Sequence, residues 1–160
     1  LGIYLGIDPG ASGGLALVGP NGQADVEAMP RTDGDIWNWV KWIGGDGRIV
    51  GVAEFAMIEK VSGYIGTGHP GSGMFKFGAS FGGLKMALTA AGIPYEEVTP
   101  QKWQKALGIP HRKRTESKTQ WKNRLKSKAQ QLYPSVKVIL QVADALLIAT
   151  YCQRKREGKL

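Results

Sequence analysis

The stretch Ile3-Tyr4-Leu5-Gly6-Ile7-Asp8-Pro9-Gly10-Ala11-Ser12-Gly13-Gly14-Leu15-Ala16-Leu17-Val18 decides how the rest of the chain is read. Ile3 to Ile7 is apolar, with β-branched residues and small glycines, which predicts a buried strand. Asp8-Pro9-Gly10 ends it in a turn, and Gly13 to Val18 predicts the next strand. Pro20-Asn21-Gly22 is a second turn signal, followed by a third predicted strand from Gln23 to Met29. Three short strands joined by tight turns make an antiparallel meander.

Beyond the meander the period changes. Asp33 or Asp35 is expected to cap a helix over Ile36 to Ile43, stopped by Gly44-Gly45. An apolar run from Ile49 to Glu59 predicts a strand, and Ser62 to Gly73 has the glycine content of a loop. Met74, Phe77, Phe81, Leu84, Leu88 and Ala91 recur at helical spacing, predicting a helix over 74–91 whose Gly78, Gly82 and Gly83 permit close packing. Tyr95 to Val98 reads as a short strand. Thr99-Pro100 opens a short helix through Leu107, Gly108 to Thr115 is a basic loop, and Thr115 or Ser117 starts a polar helix to Leu132. Val136 to Leu140 is strand-like, and Val142 to Gln153 is a final apolar helix. Three strands followed by alternating helix and strand predict an α/β fold with a mixed sheet.

With 160 residues the chain is expected to be a single domain spanning 1–160. No apolar run approaches the ~20 residues of a membrane span. The opening residues lack the basic leader and cleavage site of a signal peptide, and a start on Leu1 rather than Met suggests that residues ahead of it were removed. One cysteine, Cys152, rules out a disulfide framework and a cysteine-rich zinc site. A cytoplasmic protein is expected.

Charge is distributed unevenly. The net charge is +8, but residues 1–100 carry −4 and residues 101–160 carry +12. A basic half joined to an acidic half suits a polyanionic partner, with the acidic side able to hold metal ions. Arg112, Lys113, Arg114, Lys118, Lys122, Arg124, Lys126 and Lys128 are candidate phosphate contacts, and Lys105 lies nearby in sequence. Lys118 and Lys122 fall one helical turn apart.

Three acidic residues occupy places where apolar ones are expected. Asp8 follows the first strand, Glu59 closes a long apolar run, and Asp144 sits in Ala143-Asp144-Ala145-Leu146-Leu147-Ile148-Ala149. Carboxylates gathered at the carboxyl end of a sheet repel one another unless a cation lies between them, and hard oxygen donors suit Mg²⁺ or Mn²⁺. Glu54 competes with Glu59 for this role, but the two differ in parity and face opposite sides of a regular strand.

These pieces resemble the RuvC family of Holliday junction resolvases, within the RNase H-like fold. The likeness is carried by Gly6-Ile7-Asp8-Pro9-Gly10-Ala11-Ser12-Gly13-Gly14, by Ile58-Glu59-Lys60-Val61, by Thr99-Pro100 with Trp103 and Leu107-Gly108, and by the segment 143–149. Met74-Phe75-Lys76-Phe77-Gly78 and Gly92-Ile93-Pro94-Tyr95 are similar to strings in phage-borne members. The resemblance implies a five-stranded mixed sheet, three strands antiparallel and then parallel, flanked by helices. It also implies a dimeric endonuclease cutting four-way DNA junctions with two Mg²⁺ or Mn²⁺ ions per site, held by Asp8, Glu59 and Asp144. It places a DNA-wedging aromatic in the loop after Glu59, where Tyr64 is the candidate. Phe75 is a second candidate for stacking by its place near that loop, although Phe75, Phe77 and Phe81 are expected to pack in the core. The glycine- and phenylalanine-rich helix carries surplus apolar surface for a homodimer. One departure stands out: the family's fourth Asp or His, three residues before the last Asp, is here the neutral Gln141.

Overall fold

The computed structural model describes residues 2–42, 51–60 and 71–160. Five strands form one sheet: β1 (Tyr4–Asp8), β2 (Gly14–Val18), β3 (Ala24–Ala28), β4 (Phe55–Glu59) and β5 (Tyr95–Val98), in the order β3-β2-β1-β4-β5. β1, β2 and β3 pair antiparallel, whereas β1–β4 and β4–β5 pair parallel. The helices are α1 (Asp33–Trp42), α2 (Gly71–Ala90), α3 (Pro100–Ala106), α4 (Lys118–Leu132) and α5 (Leu140–Arg156). This mixed five-stranded sheet between helices is the expected fold. Among the described residues no helix is long and apolar enough to cross a membrane.

Strand alternation divides the core in two. Leu5, Ile7, Leu15, Leu17, Ala56 and Ile58 pack with Ile36, Val40, Leu84 and Leu88 of α1 and α2. Tyr4, Ala16, Val18, Phe55 and Met57 face the other way, onto α5, α3 and α4. Gly6 shares that second face, and α5 lies directly on it. A Cβ at Gly6 would sit 2.2 Å from the Ala145 carbonyl oxygen and 2.3 Å from the Ala149 nitrogen. Only a residue without a side chain lets the helix approach β1 this closely.

Several boundaries differ from expectation, each for a local reason. β4 begins at Phe55, not Ile49, because β1 offers partners only from Tyr4 to Ile7 and Gly51 turns the chain at φ +145°. α1 is capped by Thr32: its hydroxyl accepts from the Asp35 N–H at 3.1 Å and donates to the Asp35 carboxylate at 2.6 Å. The expected stop at Gly44-Gly45 lies outside the described residues. α2 starts at Gly71, so the last three residues of the expected loop are helical. The glycine bias of ~1 kcal/mol per residue is too small to stop propagation of a nucleated helix. α4 begins after Ser117, whose hydroxyl and the Gln120 side chain close a reciprocal capping box.

Val136 to Leu140 is not a strand. Val136 and Val138 are buried as alternation demands, but no strand partners them. Instead the Gln130 amide serves the backbone, donating to the Tyr133 and Val136 carbonyls at 3.1 and 2.8 Å and accepting from the Val138 N–H at 3.2 Å. α5 then starts at Leu140 and runs to Arg156. This absorbs the basic residues Arg154, Lys155 and Arg156 into its last turn, where the helix dipole favours them.

Candidate active site

Parallel pairing sets the first two carboxylates side by side. Ile7 is in register with Ile58, so the next residues, Asp8 and Glu59, emerge together at the carboxyl ends of adjacent strands. Asp8 shares parity with Tyr4 and Gly6, and Glu59 with Phe55 and Met57, so both face α5. Glu54 precedes β4 at the opposite end of the sheet, its carboxylate against Gly2. α5 supplies the third. Asp144 lies one residue before Ala145, the residue that touches Gly6, and it is only 6% exposed despite its charge.

These three groups interact strongly. Asp8 has its pKa pushed up from 3.8 to about 8, first by burial, then by the negative charges of Asp144 and Glu59. Burial raises the Glu59 carboxyl too, with Asp144 adding to it; the Trp103 hydrogen bond and the Lys122 charge oppose the rise. Lys122 of α4 reaches into the group and ion-pairs with Asp144 Oδ2. Burial works to depress this ammonium, but Asp144, Asp8 and Glu59 together hold its pKa above the ordinary value. The other Asp144 oxygen, Oδ1, is buried and has no hydrogen-bond partner among the described residues.

Trp103 is the partner that sequence reasoning assigned no role. Its ring is fully buried on α3, and its Nε1–H donates to Glu59 Oε2 at 2.8 Å. Asp8 and Glu59 open onto a cleft of about 510 Å³ with Pro9, Lys60, Phe77, Thr99, Pro100 and Gln101. Phe77 presses on Gly10, where a Cβ would meet its ring at 2.8 Å and where φ is +101°, so the turn after Asp8 requires glycine twice over.

The other candidates spread outward. Lys118 is exposed at the start of α4, one turn from Lys122. Arg112, Lys113 and Arg114 are exposed on the loop between α3 and α4. Arg124 is not a free phosphate contact. Its guanidinium binds the Glu116 carboxylate through Nε and Nη2 at 3.0 and 2.8 Å, and also donates to the Pro110 and His111 carbonyls. Charge-run reading missed this because Glu116 is the single acid within the basic stretch. Lys105 is exposed two residues beyond Trp103, about 200° around α3, and so points away from Glu59. Gln141 donates its amide to the Ala11 carbonyl at 3.2 Å, tying α5 to the turn after Asp8. Tyr64 lies outside the described residues. Phe75 does not pack in the core as expected: it is 78% exposed near the start of α2.

A sheet of this order, with its acidic cluster between the strand ends and the last helix, is an RNase H-like fold. Two solved structures of one protein show the same fold over nearly the whole chain. Thermus thermophilus RuvC in complex with a Holliday junction substrate matches with a TM-score of 0.63 at 20% identity, covering 98% of this chain and 97% of that one. The structure of Thermus thermophilus RuvC matches with a TM-score of 0.60, at the same identity and coverage. No protein-family model matches the chain, and no curated protein matches it.

Carboxylate oxygens are hard donors of the kind that divalent cations such as Mg²⁺ or Mn²⁺ take. Burial and neighbouring carboxylates raise the proton affinity of Asp8 and Glu59, one Asp144 oxygen is buried without a partner among the described residues, and the Lys122 ammonium is drawn into their midst, the marks of a site that favours positive charge. Among the described residues no three ligating side chains converge on one ion position. Asp8 and Glu59 share one cleft and Asp144 keeps a buried, unpartnered carboxylate oxygen, so the donor chemistry suits a hard divalent cation.

Proposed function

We propose that the chain is a structure-selective endodeoxyribonuclease that resolves four-way DNA junctions. One observation carries this reading. Asp8, Glu59 and Asp144, far apart in sequence, form one electrostatically coupled group with Lys122 at the edge of an open cleft. They do so on a fold that Thermus thermophilus RuvC uses with a junction bound.

Two Mg²⁺ or Mn²⁺ ions would be held by Asp8 with Glu59 and by Asp8 with Asp144. When bound, such a pair supplies an activated in-line water and neutralises charge at phosphorus and on the leaving oxygen. Asp8 would serve both ions from the central strand, and Glu59 accepts a hydrogen bond from Trp103. Lys122, released from Asp144, brings an ammonium to the phosphate. Arg112, Lys113, Arg114 and Lys118 engage backbone phosphates and set register without reading sequence, and the Glu116–Arg124 pair holds their loop in shape. Tyr64 and Phe75 offer rings to unpaired bases.

The partner is a second copy of the chain. On α2, Gly78, Ala79, Gly82 and Met86 form an exposed apolar stripe at helical spacing, with nothing among the described residues within 4 Å of a Cβ at Gly78 or Gly82. Two such helices can approach closely about a two-fold axis, matching the symmetry of a four-way junction.

The test is a synthetic four-way junction incubated with protein and Mg²⁺. The expected result is a symmetric pair of nicks, absent with Glu59→Gln, retained with Glu54→Gln, and with an affinity that falls steeply as salt rises. Gln141 favours one other reading, a junction-binding protein without activity. Tight binding of the junction with no nicks would establish that alternative, and equal cutting of duplex, fork and hybrid would overturn junction selectivity.

A further inference from the structure

The three site carboxylates are held in three different ways. Asp144 is paired with the Lys122 ammonium, no hydrogen bond to Asp8 from another side chain is found among the described residues, and Glu59 accepts a single neutral donor, the Trp103 indole. That donor is unusual in two respects. Trp103 is among the largest fully buried side chains of the core, so its ring cannot swing aside. Its N–H can only donate and does not titrate, so the bond persists at every working pH. α3 is fixed in turn by its neighbours: the backbone N–H of Trp103 donates to the Thr99 carbonyl, and the Trp103 side chain packs with Val98, Leu107 and α5 in one cluster.

We propose that Trp103 is a positioning residue for Glu59, its indole N–H fixing Oε2 so that Oε1 is left to a divalent cation at the cleft. This rests on the metal-dependent reading above and adds a specific device to it. A carboxylate on two rotatable side-chain bonds beyond Cβ would otherwise sample several orientations near two other negative charges. A neutral donor orders it and stabilises its ionised form, without placing a positive charge that would compete with the metal. Hydrogen bonds behind ligating side chains of this kind typically govern ~10–100-fold in metal affinity.

The experiment is Mn²⁺ titration calorimetry on the DNA-free protein, with Trp103→Phe, which removes the N–H and keeps an aromatic ring. Tyr133→Phe is the control; it deletes a buried hydroxyl that bonds Thr150 at 2.9 Å in the same core cluster. Trp103→Phe is expected to bind Mn²⁺ ~10–100-fold more weakly. The metal concentration for half-maximal junction cleavage should rise in proportion, and the rate at saturating metal should recover. Tyr133→Phe should leave Mn²⁺ affinity unchanged. The unmutated protein gives a second readout that needs no variant to fold. Of its five tryptophan indole N–H resonances, that of Trp103 should shift most, and saturably, with Mg²⁺. An unmutated protein that binds Mn²⁺ and cuts junctions, beside a Trp103→Phe protein of equal metal affinity or an unmoved Trp103 resonance, overturns the positioning role alone. Equal weakening by Tyr133→Phe assigns the effect to general destabilisation and also overturns it. Absence of any Mn²⁺ binding by the unmutated protein overturns the metal reading, and this proposal with it.

Discussion

Asp8→Asn should abolish junction cleavage, lowering the rate by ~10³-fold or more, while junction binding stays within a few-fold of the unmutated protein. The size follows from position. In the proposed function Asp8 would serve both cations, metal stabilisation of a phosphoryl transition state is worth several kcal/mol, and each ~1.4 kcal/mol is tenfold in rate. The same variant should make the metal-free protein more stable, with a definite pH dependence. In the fold Asp8 takes up its proton near pH 8, against 3.8 ordinarily, so the folded state binds more protons than the unfolded state between those values. Stability is therefore fully present below pH ~4 and lost progressively as pH rises toward ~8. Thermal melts in EDTA at pH 5 and pH 8 should show this loss for the unmutated protein, on the order of a few kcal/mol. Asp8→Asn should flatten much of it, and Mg²⁺ at pH 8 should restore stability to the unmutated protein. A pH-independent melt would show that the three carboxylates do not crowd one another as described.

Gly6→Ala is expected to destabilise the protein strongly through a single added methyl. The added carbon meets backbone atoms of Ala145 and Ala149, which cannot rotate away as a side chain could. Relief requires α5 to lift from β1. Overpacking of this kind costs ~1–3 kcal/mol, and contact with backbone places Gly6→Ala at the upper end. A chain of this size should melt ~6–12 °C lower, at ~2–4 °C per kcal/mol. Because Asp144 precedes Ala145, the lifted helix carries a site carboxylate with it. A misplacement of ~1 Å can cost ~10²-fold in rate, so cleavage should fall further than stability does. Differential scanning calorimetry alongside a cleavage assay below both melting temperatures separates the two effects.

Much of this arrangement was legible in the residues, for reasons that can be located. The meander is encoded locally: apolar runs of strand length broken by Asp8-Pro9-Gly10 and Pro20-Asn21-Gly22 leave few other pairings. Parity only separates Glu59 from Glu54; the family resemblance of Ile58-Glu59-Lys60-Val61 chooses Glu59, and the parallel register of β4 with β1 brings it beside Asp8. What was not legible depends on contacts between distant residues. The alternation Val136-x-Val138 suits a strand or any extended segment over a core, and the Gln130 amide decides between them. Arg124 reads as one more cation in a basic run until Glu116 folds back onto it. The Trp103–Glu59 hydrogen bond spans 44 positions of sequence and leaves no local trace, since a buried tryptophan in a short helix is already explained by packing.

The central proposal is that Asp8, Glu59 and Asp144 hold divalent cations, which compete with the Lys122 ammonium for Asp144. Anomalous scattering at the manganese edge, from crystals grown with Mn²⁺, tests it most directly. Peaks between Asp8 and Glu59 and between Asp8 and Asp144, with the Lys122 ammonium moved off Asp144 Oδ2, are the expected result. Mn²⁺ found only elsewhere on the protein, with the Lys122–Asp144 ion pair intact, would contradict the account.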